Sequence, residues 1–100
     1  SLGLISQKDV DHQDPDWPAY KKYFMHGTSH YLGLDVHDVG PWTRQMEVGN
    51  YFTVEPGIYI PEESIGVRIE DNILITEDGY ENLTSGIPKE VSEIEKIMSA

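Results

Sequence analysis

Tyr51-Phe52-Thr53-Val54-Glu55-Pro56-Gly57-Ile58-Tyr59-Ile60-Pro61 is the stretch on which the architecture turns. Its first four residues are aromatic or β-branched, the composition that suits a pleated, half-buried strand. Pro56-Gly57 is a turn signal, so the first strand is expected to stop there. Ile58-Tyr59-Ile60 predicts a second short strand, ended by Pro61. Downstream, Ile65 to Thr76 predicts one long strand, bulged near Asp71-Asn72. Glu77-Asp78-Gly79-Tyr80 predicts a hairpin turn, because Gly accepts positive φ, and Glu81 to Leu83 return along it. After Pro88, the helical spacing of Val91, Ile94, Ile97 and Met98 predicts a helix from Glu90 to Met98 with an apolar packing face. Glu90, Glu93 and Glu95 favour its N-terminal half through the helix dipole. The fold class that follows is α+β, a mainly antiparallel sheet with a C-terminal helix.

Upstream, Leu2, Leu4 and Ile5 are read as the last turn of a helix, loosened by Gly3 and Ser6. Asp11 to Pro18 holds two prolines and three acids and is a loop, with His12 solvated in it. Ala19 to Phe24 predicts one helical turn after Pro18. Then comes Met25-His26-Gly27-Thr28-Ser29-His30-Tyr31-Leu32-Gly33-Leu34-Asp35-Val36-His37-Asp38, which carries three of the four histidines. Histidine is the commonest metal ligand and the side chain that titrates nearest neutrality. A linker follows through Val39-Gly40-Pro41-Trp42, with Trp42 expected to cover one side of the site.

The 100 residues fit one domain, and 38% hydrophobic content supports a core. A net charge of −11, with seven basic residues and no basic cluster beyond Lys21-Lys22, argues against nucleic acid or an anionic membrane as partner. Cysteine is absent, which removes disulfides and thiolate metal sites. No signal peptide is visible and no apolar run nears the ~20 residues that span a bilayer, so a soluble, cytoplasmic protein is expected.

Two carboxylates sit where carboxylates are costly. Glu55 ends an apolar strand, and Glu70 lies in Gly66-Val67-Arg68-Ile69-Glu70-Asp71, where side chains alternate between faces. Arg68 and Glu70 share one face, while Asp71 is treated as a turn or bulge residue. A buried Glu must be paired or bind a metal. One imidazole with two carboxylates suits Mn²⁺, Co²⁺, Fe²⁺ or Zn²⁺. With Cys absent, a hydrolytic centre is favoured over a structural one, and in two-metal centres carboxylates bridge the ions. A Ser29-His30-Asp35 triad is the rival, but it lacks a Gly-x-Ser-x-Gly elbow.

His26 to Asp38, Val54-Glu55-Pro56-Gly57-Ile58-Tyr59 and Gly66 to Asp71 resemble, in order and spacing, the C-terminal part of Xaa-Pro aminopeptidases (aminopeptidase P). These are dinuclear metallopeptidases with the pita-bread fold. Glu81-Asn82-Leu83-Thr84 and the final helix extend the resemblance over nearly the whole chain. It implies the C-terminal half of a pita-bread fold with a curved sheet, and residues 1–100 as a single partial domain. It implies His30, Glu55 and Glu70 as metal ligands, with Glu70 bridging two ions and Glu55 also shuttling the proton. It implies His26 and His37 as substrate-pocket histidines that stabilise the tetrahedral intermediate, and Tyr59 and Arg68 as a hydrogen-bonding support. Two divalent ions are the implied cofactor, Mn²⁺ first and Co²⁺, Fe²⁺ or Zn²⁺ otherwise.

The family's other two ligands are aspartates on a preceding strand, which this sequence does not contain. Asp9, Asp11, Asp14 and Asp16 stand in the wrong context to replace them. The expectation is therefore a C-terminal fragment of a longer enzyme, inactive alone and binding one ion or none. The full enzyme is expected to act on peptides with proline at the second position. Thr28-Ser29 before His30 favours aminopeptidase P over prolidase, the Xaa-Pro dipeptidase, and a non-catalytic peptide-binding module is the other alternative. An unpaired sheet edge and open apolar surface predict a homo-oligomer.

Overall fold

The structure is a computed structural model describing residues 2–100. Five strands carry the middle of the chain: β1 (Tyr51–Val54), β2 (Gly57–Ile60), β3 (Ile65–Arg68), β4 (Asp71–Thr76) and β5 (Gly79–Asn82). They form an antiparallel β1-β4-β5 sheet and an antiparallel β2-β3 pair. Both derive from one long hairpin. Val54 pairs with Asp71, and Gly57 pairs with Arg68. Two residues intervene on each arm, so the register runs through unchanged and Glu55 stands opposite Glu70.

As expected, β1 stops before Pro56-Gly57 and β2 ends at Pro61; β2 continues the line of β1, and the chain reverses at a 3₁₀ turn, Pro61–Glu63, closed by Ser64 at φ 54°. The expectation downstream is corrected. Ile65 to Thr76 is not a single bulged strand but two strands in two sheets. The cause is mutual: Pro56 has no N–H to donate, and the one bond left across the gap, Ile69 N–H to the Pro56 carbonyl, is 3.4 Å long. Asp71 is no bulge residue either, for it opens β4 in regular pairing with Val54.

The second hairpin has a two-residue loop, Glu77-Asp78, with Thr76 facing Gly79. Near the N-terminus the helix lies after residues 2–5 rather than ending in them. Helix α1 (Gln7–Asp11) starts at Ser6, whose side chain accepts the Asp9 N–H while Asp9 accepts the Ser6 N–H at 2.7 Å. That reciprocal capping box outweighs the apolar spacing of Leu2, Leu4 and Ile5. A 3₁₀ turn at Ala19–Lys22 is tied to the hairpin by the Tyr59 N–H to Tyr23 carbonyl bond of 2.8 Å and by the Lys22–Glu62 ion pair.

The core is thinner than the composition implies. The radius of gyration is 17.0 Å, against about 13 Å for a compact domain of 100 residues. Among the described residues Phe52 is the buried hydrophobic side chain, packed by Tyr31, and Thr53 is wholly closed to solvent. Helix α2 (Val91–Met98) forms as predicted, but Val91, Ile94, Ile97 and Met98 are exposed. Strands in a single layer cover one another's edges and not their faces, so apolar residues that alternate correctly remain open.

Candidate metal centre

The break in the hairpin is where the chemistry gathers. The segment through His30 adds itself to the free edge of β1: Leu32 N–H bonds the Tyr51 carbonyl, Thr53 N–H that of His30, and Glu55 N–H that of Thr28, at 2.8–3.1 Å. Glu55 sits just past β1, and Glu70 faces it from the other arm. His30, Glu55 and Glu70 each offer one donor atom, and all three atoms lie within 4.8 Å of one another. His30 and Glu55 are mostly buried, whereas Glu70 is exposed.

The donor set suits a divalent cation. His30 Nδ1 lies 3.0 Å from the Tyr31 carbonyl, which can only accept, so Nδ1 carries a proton and Nε2 is the nitrogen free to serve as a ligand. Nε2 lies 3.3 Å from Glu55 Oε1. An imidazole lone pair and a carboxylate oxygen at this separation form a pair that a bound cation would bridge. Fixing a ligand's tautomer through its far nitrogen is the usual arrangement around metals.

Other anticipated residues fall into two groups. Arg68 brings Nε to 3.9 Å from Glu55 Oε2, an ion-pair approach on the oxygen that His30 leaves alone. His37 is exposed with its ring 4.3 Å from that of His30, centroid to centroid. His26 spends Nδ1 on the Gly27 carbonyl at 2.7 Å and Nε2 on the Tyr59 hydroxyl at 2.8 Å. Tyr59 thus supports His26, with Phe24 edge-on to the same imidazole. Gly57 and Gly66 make room for this: a Cβ at Gly57 would stand 2.9 Å from the Tyr59 ring and 3.0 Å from His26 Nε2, and one at Gly66 only 2.6 Å from the ring. Trp42 packs on Tyr31, which turns to Phe52, so it does not cover the donors as expected. Adjacent residues of an edge segment point to opposite faces, and Trp42 follows Tyr31 rather than His30.

Two features escaped the sequence. Thr53 bonds both His30 and Glu55; the clue was its place two residues before Glu55 on one strand face. At the start of β4, Asp71 takes a 2.6 Å bond from the Thr84 hydroxyl and a 2.9 Å ion pair from Lys89, whose ammonium also bonds the Thr84 and Ile87 carbonyls. The Thr84 hydroxyl first, and then Lys89, hold the Asp71 carboxyl below its ordinary value of 3.8. Among the described residues no helix is long and apolar enough to cross a membrane.

The chain is similar to known proteins over most of its length. An Xaa-Pro aminopeptidase of Haemophilus influenzae is 50% identical over 93 residues, 81% of this chain and 22% of that protein. The Escherichia coli aminopeptidase P structure with the inhibitor Pro-Leu matches at a TM-score of 0.75 and 52% identity, over 81% of this chain and 21% of that one. A zinc-substituted form of the E. coli enzyme in complex with product matches equally, with the same TM-score, identity and shares of the two chains. The chain thus spans about a fifth of the length of these relatives. Its fold is part of the pita-bread fold of the aminopeptidases, α+β with antiparallel sheets. The model of metallopeptidase family M24 matches residues 3–77, a span that contains all three clustered donors, and the chain belongs to that family.

Proposed function

We propose that this chain carries part of the catalytic centre of an Xaa-Pro aminopeptidase, which releases the N-terminal residue of peptides with proline in second place. The observation that carries the reading is the meeting of His30, Glu55 and Glu70 donor atoms within 4.8 Å. The names of the relatives and the Pro-Leu inhibitor of the E. coli structure support the substrate class. The activity proposed is that of the full-length protein. Three donors are too few for two ions, so the chain by itself is expected to hold one ion or none and to be inactive.

His30 Nε2 and a carboxylate oxygen from each of Glu55 and Glu70 would hold the metal. Divalent ions, Mn²⁺ as first choice and Co²⁺, Fe²⁺ or Zn²⁺ as the others that suit mixed N and O donors, supply Lewis-acid activation of water. Glu55 takes the proton of the attacking water at a carboxylate oxygen and returns it to the departing proline nitrogen. Arg68 steadies the outer oxygen of Glu55. His37, exposed beside His30, offers a ring N–H where negative charge develops on the scissile carbonyl oxygen. His26, fixed by Tyr59, borders the same substrate side.

The test is hydrolysis by the full-length protein with added Mn²⁺, using an Xaa-Pro dipeptide and a longer Xaa-Pro peptide side by side. Both the cleavage of the longer peptide and its loss in Glu70→Ala are expected. Cleavage of the dipeptide alone would make the protein a prolidase. A protein with no bound or activating divalent ion would be a peptide-binding module instead, and the peptidase reading would fall.

A further inference from the structure

The two most buried donors of the centre share one partner, and nothing in metal chemistry names it. We infer that Thr53 is a positioning residue that sets the aim of His30 and Glu55 together; this rests on the metal-centre reading above. Thr53 is 0% exposed, whereas Glu70 of the same centre is exposed. Its hydroxyl accepts the His30 backbone N–H at 3.0 Å, which leaves the hydroxyl proton for Glu55 Oε1 at 3.3 Å. Its own N–H donates to the His30 carbonyl at 3.0 Å. One residue therefore grips both polar groups of the His30 backbone and touches the carboxylate that faces the imidazole.

The chemistry of threonine explains the choice. A hydroxyl accepts and donates at once, as a peptide N–H on one side and a carboxylate on the other require. A β-branched side chain has few rotamers, so the hydroxyl stays aimed. At 3.3 Å the contact to Glu55 is long for O–H···O, so it aligns the carboxylate more than it binds it. Valine in this place keeps the shape and loses both bonds, stranding the His30 N–H away from water and freeing Glu55 to rotate. Serine keeps the hydroxyl and gives up the stiffness.

The experiment titrates Mn²⁺ into the metal-depleted full-length protein by calorimetry, for wild type, Thr53→Val and Thr53→Ser. Thr53→Val should weaken Mn²⁺ by about 10–100-fold, the range for partners that orient ligands, and Thr53→Ser should recover most of it. Melting of the metal-free and Mn²⁺-loaded forms supplies a second readout. A residue that only stabilises the fold would lower both melting points alike, whereas a positioning residue shrinks the gap between them. Wild-type affinity in Thr53→Val, or an equal loss in Thr53→Ser, overturns the inference. If Thr53→Val does not fold, Thr53→Ser and Thr53→Ala differ by the hydroxyl alone, and equal affinities in that pair overturn it too. A wild-type protein that takes up no Mn²⁺ marks the failure of the metal-centre reading itself, and the inference falls with it.

Discussion

Replacing Gly66 by alanine tests the packing that holds His26. The added Cβ would stand 2.6 Å from Tyr59 Cδ1 and 3.3 Å from Cε1, so the ring must move by about 1 Å to reach ordinary contact at ~3.5–4 Å. Gly57, on the opposite strand, already leaves the ring its room on that side: a Cβ there would stand 2.9 Å from Tyr59 Cε2, so the ring is close against that backbone. Overpacking of this kind costs about 1–3 kcal/mol. The displaced hydroxyl also loses its 2.8 Å bond to His26 Nε2, a neutral bond of about 0.5–1.5 kcal/mol. Against this, replacing glycine stiffens the unfolded chain and returns about 0.4–1 kcal/mol. The net destabilisation is about 0.5–4 kcal/mol from these three terms, limited above by the ring's freedom to swing into solvent. Urea unfolding of wild type, Gly66→Ala, Tyr59→Ala and the double variant closes a mutant cycle. With the ring gone, alanine at 66 should be neutral or mildly stabilising. If Gly66→Ala costs as much in the Tyr59→Ala background as in wild type, the ring is not what the glycine makes room for.

Three further outcomes are expected. Asp71 has its folded pKa lowered by Thr84 and Lys89, so its contribution is present above the ordinary value of 3.8 and is lost as pH falls through the lower folded value. Wild type should therefore be more stable than Asp71→Asn at neutral pH, with the difference in urea midpoint closing below about pH 4. A difference that stays constant down to pH 2 would refute the linkage. Chelation should lower the melting temperature of the full-length protein, with Mn²⁺ restoring it in wild type and not in a His30→Ala, Glu70→Ala double variant. The isolated 100-residue chain should self-associate through its open apolar surface, as a concentration-dependent mass in light scattering, and a stable monomer would count against this.

Much of this was legible because the signals were local. β-branched and aromatic residues at 51–54, a hairpin signal in Glu77-Asp78-Gly79-Tyr80 and a helical stripe from Val91 need no distant partner to be read. The division of Ile65–Thr76 was not legible, because the register continues through the break and the alternation of side chains gives no sign of it. Its cause lies on the other arm, at Pro56. The donors were readable as residue types, but their meeting depends on the segment 28–32 docking along β1, a non-local event. Thr53 illustrates the limit: alone it is a good strand former, and only the neighbouring edge makes its hydroxyl a bridge. Trp42 failed for the same reason, since proline and tryptophan together say "packed" without saying against what.

The unbroken register across the gap also governs which changes of length the hairpin can absorb. Glu55 faces Glu70 because ladders on both sides of them are pinned, β1 to β4 and β2 to β3. One residue inserted between Val54 and Gly57, or between Arg68 and Asp71, would offset the two carboxylates or force a bulge at the donors. Lengthening the tip at Pro61–Ser64 would leave their opposition intact, because both ladders close before the tip is reached. Loop grafts, tags or inserted domains therefore belong at the tip, and the four residues of the gap form a ruler that tolerates substitution more readily than insertion.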